Sequence, residues 1–440
     1  MNLIYLHTHD SGKHLHPADC PRRLRRIEEL TASAVTFRNA FAAAPTCSPS
    51  RSALLTGLPP HMNGMTGLAH RGFRLRDYSR HLANVLSTAG VETILCGVQH
   101  VAPRKAEIGY HRILDDSEDY FDRPEMDPAV WDLGNADRVA DFLKEKPESP
   151  FFLSFGLLST HRPFPSGACA VPPRGYPRPP AVLPDMTQTR LDMERFTESL
   201  ETVDRAVGKI VDAVKSSGLW EETAILLTTD HGPPFPGMKA TLCDGGIGVS
   251  LILRIPGIAD DGRVNEELIS QMDLYPTVCE LFGIAPPSDS VGRSMVPLLE
   301  GREREPRDAI FAVTNYHANY DPARAIRTKR YKLIRKYGQV LTPRWANVDD
   351  SPSKEIVGAA GYFERPLPGE QLIDLYLDPT EHLDFKSEES HSDVYRELKK
   401  RLDAWLNATE DPIRLGTMPR PVGAQLNRDD ARSAKEPTTG

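Results

Sequence analysis

The chain has 440 residues, 40% hydrophobic and 26% charged, enough to bury a large core in one big domain with an appendage. Its formal net charge of -8 provides no global basic field to hold nucleic acid or another long polyanion, so an anionic substrate has to be gripped locally. No stretch approaches the roughly 20 uninterrupted apolar residues of a membrane-spanning helix, and the opening MNLIYLHTHD lacks the basic leader and long apolar run of an export signal.

Six cysteines (Cys20, Cys47, Cys96, Cys169, Cys243, Cys279) are scattered without a CxxC pair, which fits neither a disulfide framework nor a zinc ribbon. The expected home is a reducing cytoplasm.

In chain order, Asn2 to Leu6 is a short apolar run that reads as a buried strand. Ser79 to Ala89 reads as a helix stopped by Gly90, and Glu92 to Cys96 and Phe151 to Leu158 as two further strands. From Thr197 to Ser217 the residues Leu200, Val203, Val207, Ile210, Val211 and Val214 recur at helical steps, and Gly218 ends the pattern. Thr223 to Thr229 is a fourth strand. Strands alternating with helices predict an α/β fold, a large, mixed, mostly parallel sheet sandwiched by helices, over residues 1–301. After Gly301 the run from Ala325 to Ile334 reads as two strands around a polar turn, followed by a helix from about Ser392 to Leu406. This predicts a smaller α+β subdomain over 302–410. Pro163 to Pro184 is expected to be a long surface loop, and 411–440, rich in Pro, Gly and charge, a poorly ordered tail.

Ligands of an open parallel sheet gather beyond the carboxyl ends of its strands. The first strand runs into His7-Thr8-His9-Asp10 and the fourth into Asp230-His231-Gly232. If the two strands are near neighbours, His9, Asp10, Asp230 and His231 offer two imidazoles and two carboxylates to one divalent ion, a set that suits Mn, Fe or Zn better than Ca. Each alone could be an ordinary loop residue; two acid-histidine pairs at two strand ends favour a metal site.

Between them lies Pro45-Thr46-Cys47-Ser48-Pro49-Ser50-Arg51. Pro49 suits a first helical turn, so Cys47 is expected at a helix start, where unpaired N–H groups favour an anion and a thiol is expected to ionise. Arg51, a turn further on, would add a charge-assisted fork to the same oxygens.

Cys47-x-Pro49-Ser50-Arg51 followed by Leu55-Thr56-Gly57 resembles the signature of the sulfatase family, within the alkaline-phosphatase-like superfamily. The likeness continues through Asp230-x-Gly232, Gly283 to Leu299 and a late strand at Asp374-Leu375-Tyr376-Leu377-Asp378-Pro379-x-Glu381. Leu58-Pro59-x-His61-x-Asn63-Gly64-Met65 and Gly232 to Pro236 look most like the sulfamidase branch. The resemblance implies that Cys47 is oxidised to formylglycine by a formylglycine-generating enzyme and that Asp10 and Asp230 are metal ligands. It also implies that Arg51 holds the aldehyde hydrate, that His100 and His161 serve the sulfate or its leaving group, and that Lys239 binds sulfate oxygens. Three positions depart from the family: His9 replaces an aspartate, His231 an asparagine, and Val98 a lysine that would touch the transferred oxygen. Asp-His at the second metal position is found in family members that hydrolyse phosphonate or phosphate esters with manganese or iron, which sets Ca against Mn, Fe and Zn.

The expected reaction is hydrolysis of a sulfate ester or sulfamate on a small anionic substrate such as a sulfated sugar, with neither nucleic acid nor membrane as partner. The rivals are a phosphonate or phosphate ester hydrolase on the same scaffold and a non-catalytic anion binder. Tyr316, His317 and Asn319, between Asn315 and Pro322, are suggested as substrate-facing.

Overall fold

The four apolar runs lie side by side. In a computed structural model describing residues 1–115, 126–147, 150–165, 177–302 and 305–439, Glu92–Gly97, Phe151–Gly156, Asn2–Thr8 and Thr223–Thr229 follow one another in that order, all parallel. They form the middle of a nine-stranded sheet that continues through antiparallel Leu251–Arg254 to Val35–Phe41 and parallel Val264–Ser270. Pairing is level at the carboxyl ends, with His7 opposite both Gly156 and Thr228. All four tips therefore open on one rim.

Alternating side chains of the first strand feed two cores. Leu3 and Tyr5 join Phe152, Leu226, Leu54 and Leu55 on one face; Ile4 and Leu6 join Leu153, Phe155, Leu227 and the aliphatic stripe Leu200 to Val214 on the other. Each fully buried Leu, Val or Ile contributes about 1.5–3 kcal/mol of transfer free energy, enough to fix which face points where.

Three boundaries differ from expectation. The long helix spans Thr187–Ser216 rather than starting at Thr197. Its first turns bury polar groups beside Met193 and Phe196: Asp192 takes both guanidinium arms of Arg162 at 2.8 Å, and Glu194 pairs with Arg22. The predicted helix over Ser79 to Ala89 divides into a short turn, Tyr78–Arg80, and Leu82–Thr88, because His81 is extended and caps the second piece by accepting the Ala83 N–H. The third apolar run ends as a strand at Gly156, after which Leu157 turns back to donate to the His7 carbonyl at 2.8 Å.

Beyond the large sheet, Ile310–Tyr316, Tyr320–Arg327, Tyr331–Lys336 and Glu370–Asp374 make a four-stranded antiparallel sheet. Leu398, Leu402 and Leu406 of helix Ser392–Ala408 are buried as one stripe. The late family motif begins where the strand Glu370–Asp374 ends, and its following residues form a turn in which Asp378 N–H donates to the Asp374 carbonyl. Of the predicted surface loop, 166–176, with Cys169, lies outside the described residues. We propose a domain boundary near residue 302, between the last strand of one sheet and the first of the other.

The expectation of a poorly ordered tail is corrected. Asp411 is buried in a two-pronged ion pair with Arg324 (2.6 and 2.9 Å), Ala424 and Leu426 are buried, and Asn427 accepts from Arg71 at 2.9 Å. Composition hid this because the apolar side chains that anchor the segment, Ile413, Met418, Ala424 and Leu426, are spaced too irregularly among Pro, Gly and charge to read as an element, and buried polar pairs add to them.

Candidate active site

Four strand tips and one helix start converge at the rim. Cys47 is the first residue of helix Cys47–Thr56 and is buried, as expected for its place, with Thr46 extended before it. The loop after Thr223–Thr229 is latched to this start, since Ala240 N–H donates to the Pro45 carbonyl. Asp10 and His100 both adopt positive φ (48° and 56°), a strained backbone for non-glycine residues that concentrates at functional sites. Close approach of the neighbouring strand ends requires Gly156, where a Cβ would lie 1.8 Å from the Val98 carbonyl oxygen.

The predicted metal residues are brought together. Ligand atoms of Asp10, Cys47, Asp230 and His231 lie within 4.8 Å of one another, as do those of His9, Asp10, Cys47 and His161. His231 Nδ1 lies 2.9 Å from the Gly232 carbonyl, which can only accept, so the proton sits there and Nε2 carries a lone pair. That lone pair faces Asp10 Oδ1 at 3.2 Å and the Cys47 sulfur at 3.3 Å. Acceptors aimed at one another in a buried cleft are satisfied by a cation, and an imidazole whose other nitrogen is tied to a carbonyl is a typical metal ligand. His9 Nδ1 stands 3.2 Å from Asp230 Oδ2. Asp10 and Cys47 belong to both sets, Asp230 and His231 to one and His9 to the other, so the residues present could hold a divalent ion.

Burial, opposed by Lys239 and helped by the Asp10 charge, pushes the Cys47 thiol well above its ordinary range. This corrects the expectation of a helix-start thiolate: desolvation outweighs the helix terminus. Burial and the Arg51 charge lower His9 to about 3. For Asp230, burial works upward and the Arg51 guanidinium works against it; the carboxyl is held well below its usual range.

Arg51 differs from its expected aim. Its Nε donates to Asp230 Oδ2 at 3.1 Å, Nη2 to the Thr8 carbonyl at 2.9 Å, and Nη1 to His7 Nδ1. All three nitrogens therefore hold the strand tips, and none of these bonds reaches position 47. Because Arg cannot accept, His7 carries its proton on Nε2, toward Ser154 Oγ at 3.2 Å.

Lys239 is buried and bridges two carboxylates, Asp10 Oδ2 at 2.7 Å and Asp349 Oδ2 at 3.0 Å. Burial opposes its charge, but Asp10 and Asp349 outweigh it and raise its pKa well above the lysine norm. His161 and His100 flank His9, at ring-centroid distances of 5.3 and 5.6 Å. His161 Nδ1 meets the Arg162 carbonyl at 2.5 Å, and His100 Nε2 lies 3.0 Å from His70 Nδ1. Burial lowers both histidines, His100 well below its ordinary value. Val98 packs with Trp131 and Leu158 in an apolar cluster, and Lys105, whose ammonium lies over the Trp131 ring, is paired with Asp115 at 2.5 Å.

Sequence reasoning missed Asp349, His70 and the supporting role of His7. Asp349 carried no signal, because its segment belongs to the second sheet's connections and only folding brings it to Lys239. His7 sat in plain view within His7-Thr8-His9-Asp10.

A cysteine at a helix start, ringed by carboxylates and imidazoles from adjacent strand tips, is the arrangement of the sulfatases. Residues 12–284 match the sulfatase family and 239–355 match the N-sulphoglucosamine sulphohydrolase C-terminal family; the chain belongs to the sulfatase family, hydrolases of sulfuric ester and sulfamate bonds. It is similar to human N-sulphoglucosamine sulphohydrolase, 30% identical over 352 residues that cover 70% of this chain and 67% of that protein. Its fold is shared with the phosphonate monoester hydrolase of Silicibacter pomeroyi (TM-score 0.72, 17% identity, 93% of this chain and 96% of that one). It is shared equally with a protein solved in complex with its substrate D-glucosamine-2-N,6-O-disulfate (TM-score 0.69, 16% identity, 93% and 98%).

Proposed function

We propose that this chain is a metal-dependent sulfatase that hydrolyses a sulfate ester or sulfamate carried by a sugar, with Cys47 converted to formylglycine by a formylglycine-generating enzyme. The observation that carries the reading is the His231 lone pair and the Asp10 carboxylate meeting at the Cys47 side chain. His9, Asp10, Asp230 and His231 would hold one divalent ion, Mn, Fe or Zn by their chemistry, with Ca the choice of the family's Asp-rich sites. When bound, it would supply charge to neutralise sulfate oxygens and to acidify the nucleophile.

The chain's own groups do the rest. Lys239 offers an ammonium to the oxygens that otherwise repel attack. Arg51 keeps Asp230 ionised and fixed. His161 and His100, neutral in the resting cleft, take or return the proton that the leaving group needs. A buried protonated thiol is a weak nucleophile, whereas an aldehyde hydrate at the same place has one hydroxyl to attack and a second to release sulfate. The scattered thiols are compatible with a reducing cytoplasm.

A second reading, a phosphonate or phosphate ester hydrolase, is favoured by His231 and by the apolar burial of Val98. Rates on an aryl sulfate, an aryl phosphate diester and N-sulfoglucosamine, measured side by side with intact mass, decide between them. The sulfatase reading expects the sulfur substrates to lead, a mass loss matching thiol-to-aldehyde conversion, and no turnover by Cys47→Ala. A dominant phosphodiesterase rate, or full activity in Cys47→Ala, would refute it; an unmodified, inert protein would point to an anion binder.

A further inference from the structure

Asp349 sits badly in a site built only to bind sulfate. Its Oδ2 takes Lys239 at 3.0 Å, so the ammonium that should face sulfate oxygens is shared between two anions, Asp10 and Asp349. The carboxylate is nonetheless pinned in place. Val348 carbonyl accepts from Lys354 Nζ at 2.7 Å, Asp350 accepts from Lys354 at 2.9 Å and from Ser433 Oγ at 2.6 Å, and Asn347 Oδ1 accepts from Asn319 N–H at 2.8 Å. Its side chain is 18% exposed, and Oδ1 has no hydrogen-bond partner among the described residues.

Its surroundings name what Oδ1 can meet. His317, buried and without a partner for Nδ1 among the described residues, occupies the same corner, and burial and Lys239 push its pKa well below the imidazole norm, so it offers no charge. Lys239 already serves Oδ2. A fixed anion beside an anion-binding cation weakens sulfate binding unless the substrate itself brings a positive or strongly donating group.

We propose that Asp349 is a specificity-determining residue that selects sulfamates of amino sugars over sulfate esters by accepting hydrogen bonds from the departing amine. This rests on the sulfatase reading of the site. The proton that the attacking hydroxyl at position 47 gives up goes to the nitrogen of R–NH–SO3−, which becomes cationic as R–NH2+–SO3−. The S–N bond then breaks with its electron pair staying on nitrogen as R–NH2, and the sulfuryl group passes to the position-47 oxygen. Oδ1 faces that growing positive charge, whereas a phenolate leaving an aryl sulfate would be repelled.

The test is Asp349→Asn, which keeps shape and removes charge. The expected result is a fall of about 10- to 100-fold in kcat/KM on N-sulfoglucosamine, the worth of a charge-assisted hydrogen bond, with the rate on aryl sulfate unchanged or raised. Equal loss on both substrates would make Asp349 a support for Lys239 only and overturn the proposal, as would no change on either. Calorimetric binding of glucosamine, the amine product, reads the same group without turnover. The wild type should bind it at least about tenfold more tightly than N-acetylglucosamine, and Asp349→Asn should lose the difference; equal binding of the two sugars by the wild type overturns the selection. A wild type inert on both sulfur substrates sinks the sulfatase reading itself, which the binding measurement separates from failure of Asp349 alone.

Discussion

The backbone N–H of Asp10 donates to Oδ1 of Asp230 at 2.8 Å, joining two strand tips 220 residues apart. With Arg51 on the other oxygen of Asp230 and Lys239 on Oδ2 of Asp10, the two carboxylates are oriented before any ion arrives.

A preformed ligand set makes the ion a stabiliser of the fold. At a free concentration about a hundred times Kd it contributes about 2.7 kcal/mol. A chelator should therefore lower Tm by a few degrees, and Mn2+ should restore it. His231→Ala should bind metal more weakly and no longer respond to chelator. An identical melting curve with and without added Mn2+, starting from protein free of metal by elemental analysis, would contradict the site.

Restoring the family lysine should fail here. Val98 is fully buried beside Trp131 and Leu158, so Val98→Lys puts an ammonium into apolar packing, at a cost on the order of several kcal/mol. We expect a lower Tm and no gain in rate on an aryl sulfate; a stable, faster variant would show that position 98 reaches the cleft.

Removing the anchor of the closing segment should be felt throughout. Asp411→Ala leaves Arg324 buried without its partner, a loss of about 3–5 kcal/mol. Urea unfolding should show the drop, and a variant within experimental error of wild type would mean that the segment is not held as described.

Acid should weaken the fold well before carboxylates titrate. Burial holds His81 down to about 3, and burial, partly opposed by Asp411, holds His61 down to about 4. An unfolded histidine protonates near 6.5. Below that pH the unfolded chain takes up protons the folded chain refuses, so stability is full above 6.5 and declines as pH falls toward these lower values. At pH 5 each such histidine costs about 2 kcal/mol. Urea midpoints at pH 7 and pH 5 should differ in that sense, and His81→Gln should shrink the difference; equal midpoints for wild type would argue that these imidazoles are hydrated.

Much of this was readable from residues alone. The four central strands, the aliphatic stripe of the long helix and the convergence of His9, Asp10, Cys47, Asp230 and His231 follow from apolar periodicity and from where strands end. The unread parts share a cause. Arg51 was aimed at position 47 because spacing gives its turn but not its partners, and Asp230 competes better. The early turns of Thr187–Ser216 and Asp411 at the start of the closing segment are held by buried charge pairs, which no hydrophobic pattern reports. Asp349 reaches Lys239 through the second sheet, a proximity invisible to any local motif.

Because the four tips share one rim, no short contiguous fragment contains the centre. A chain halted before residue 223 would hold Asp10 and Cys47 yet lack Asp230, His231 and Lys239. Ion capture at this rim therefore waits on the last central strand.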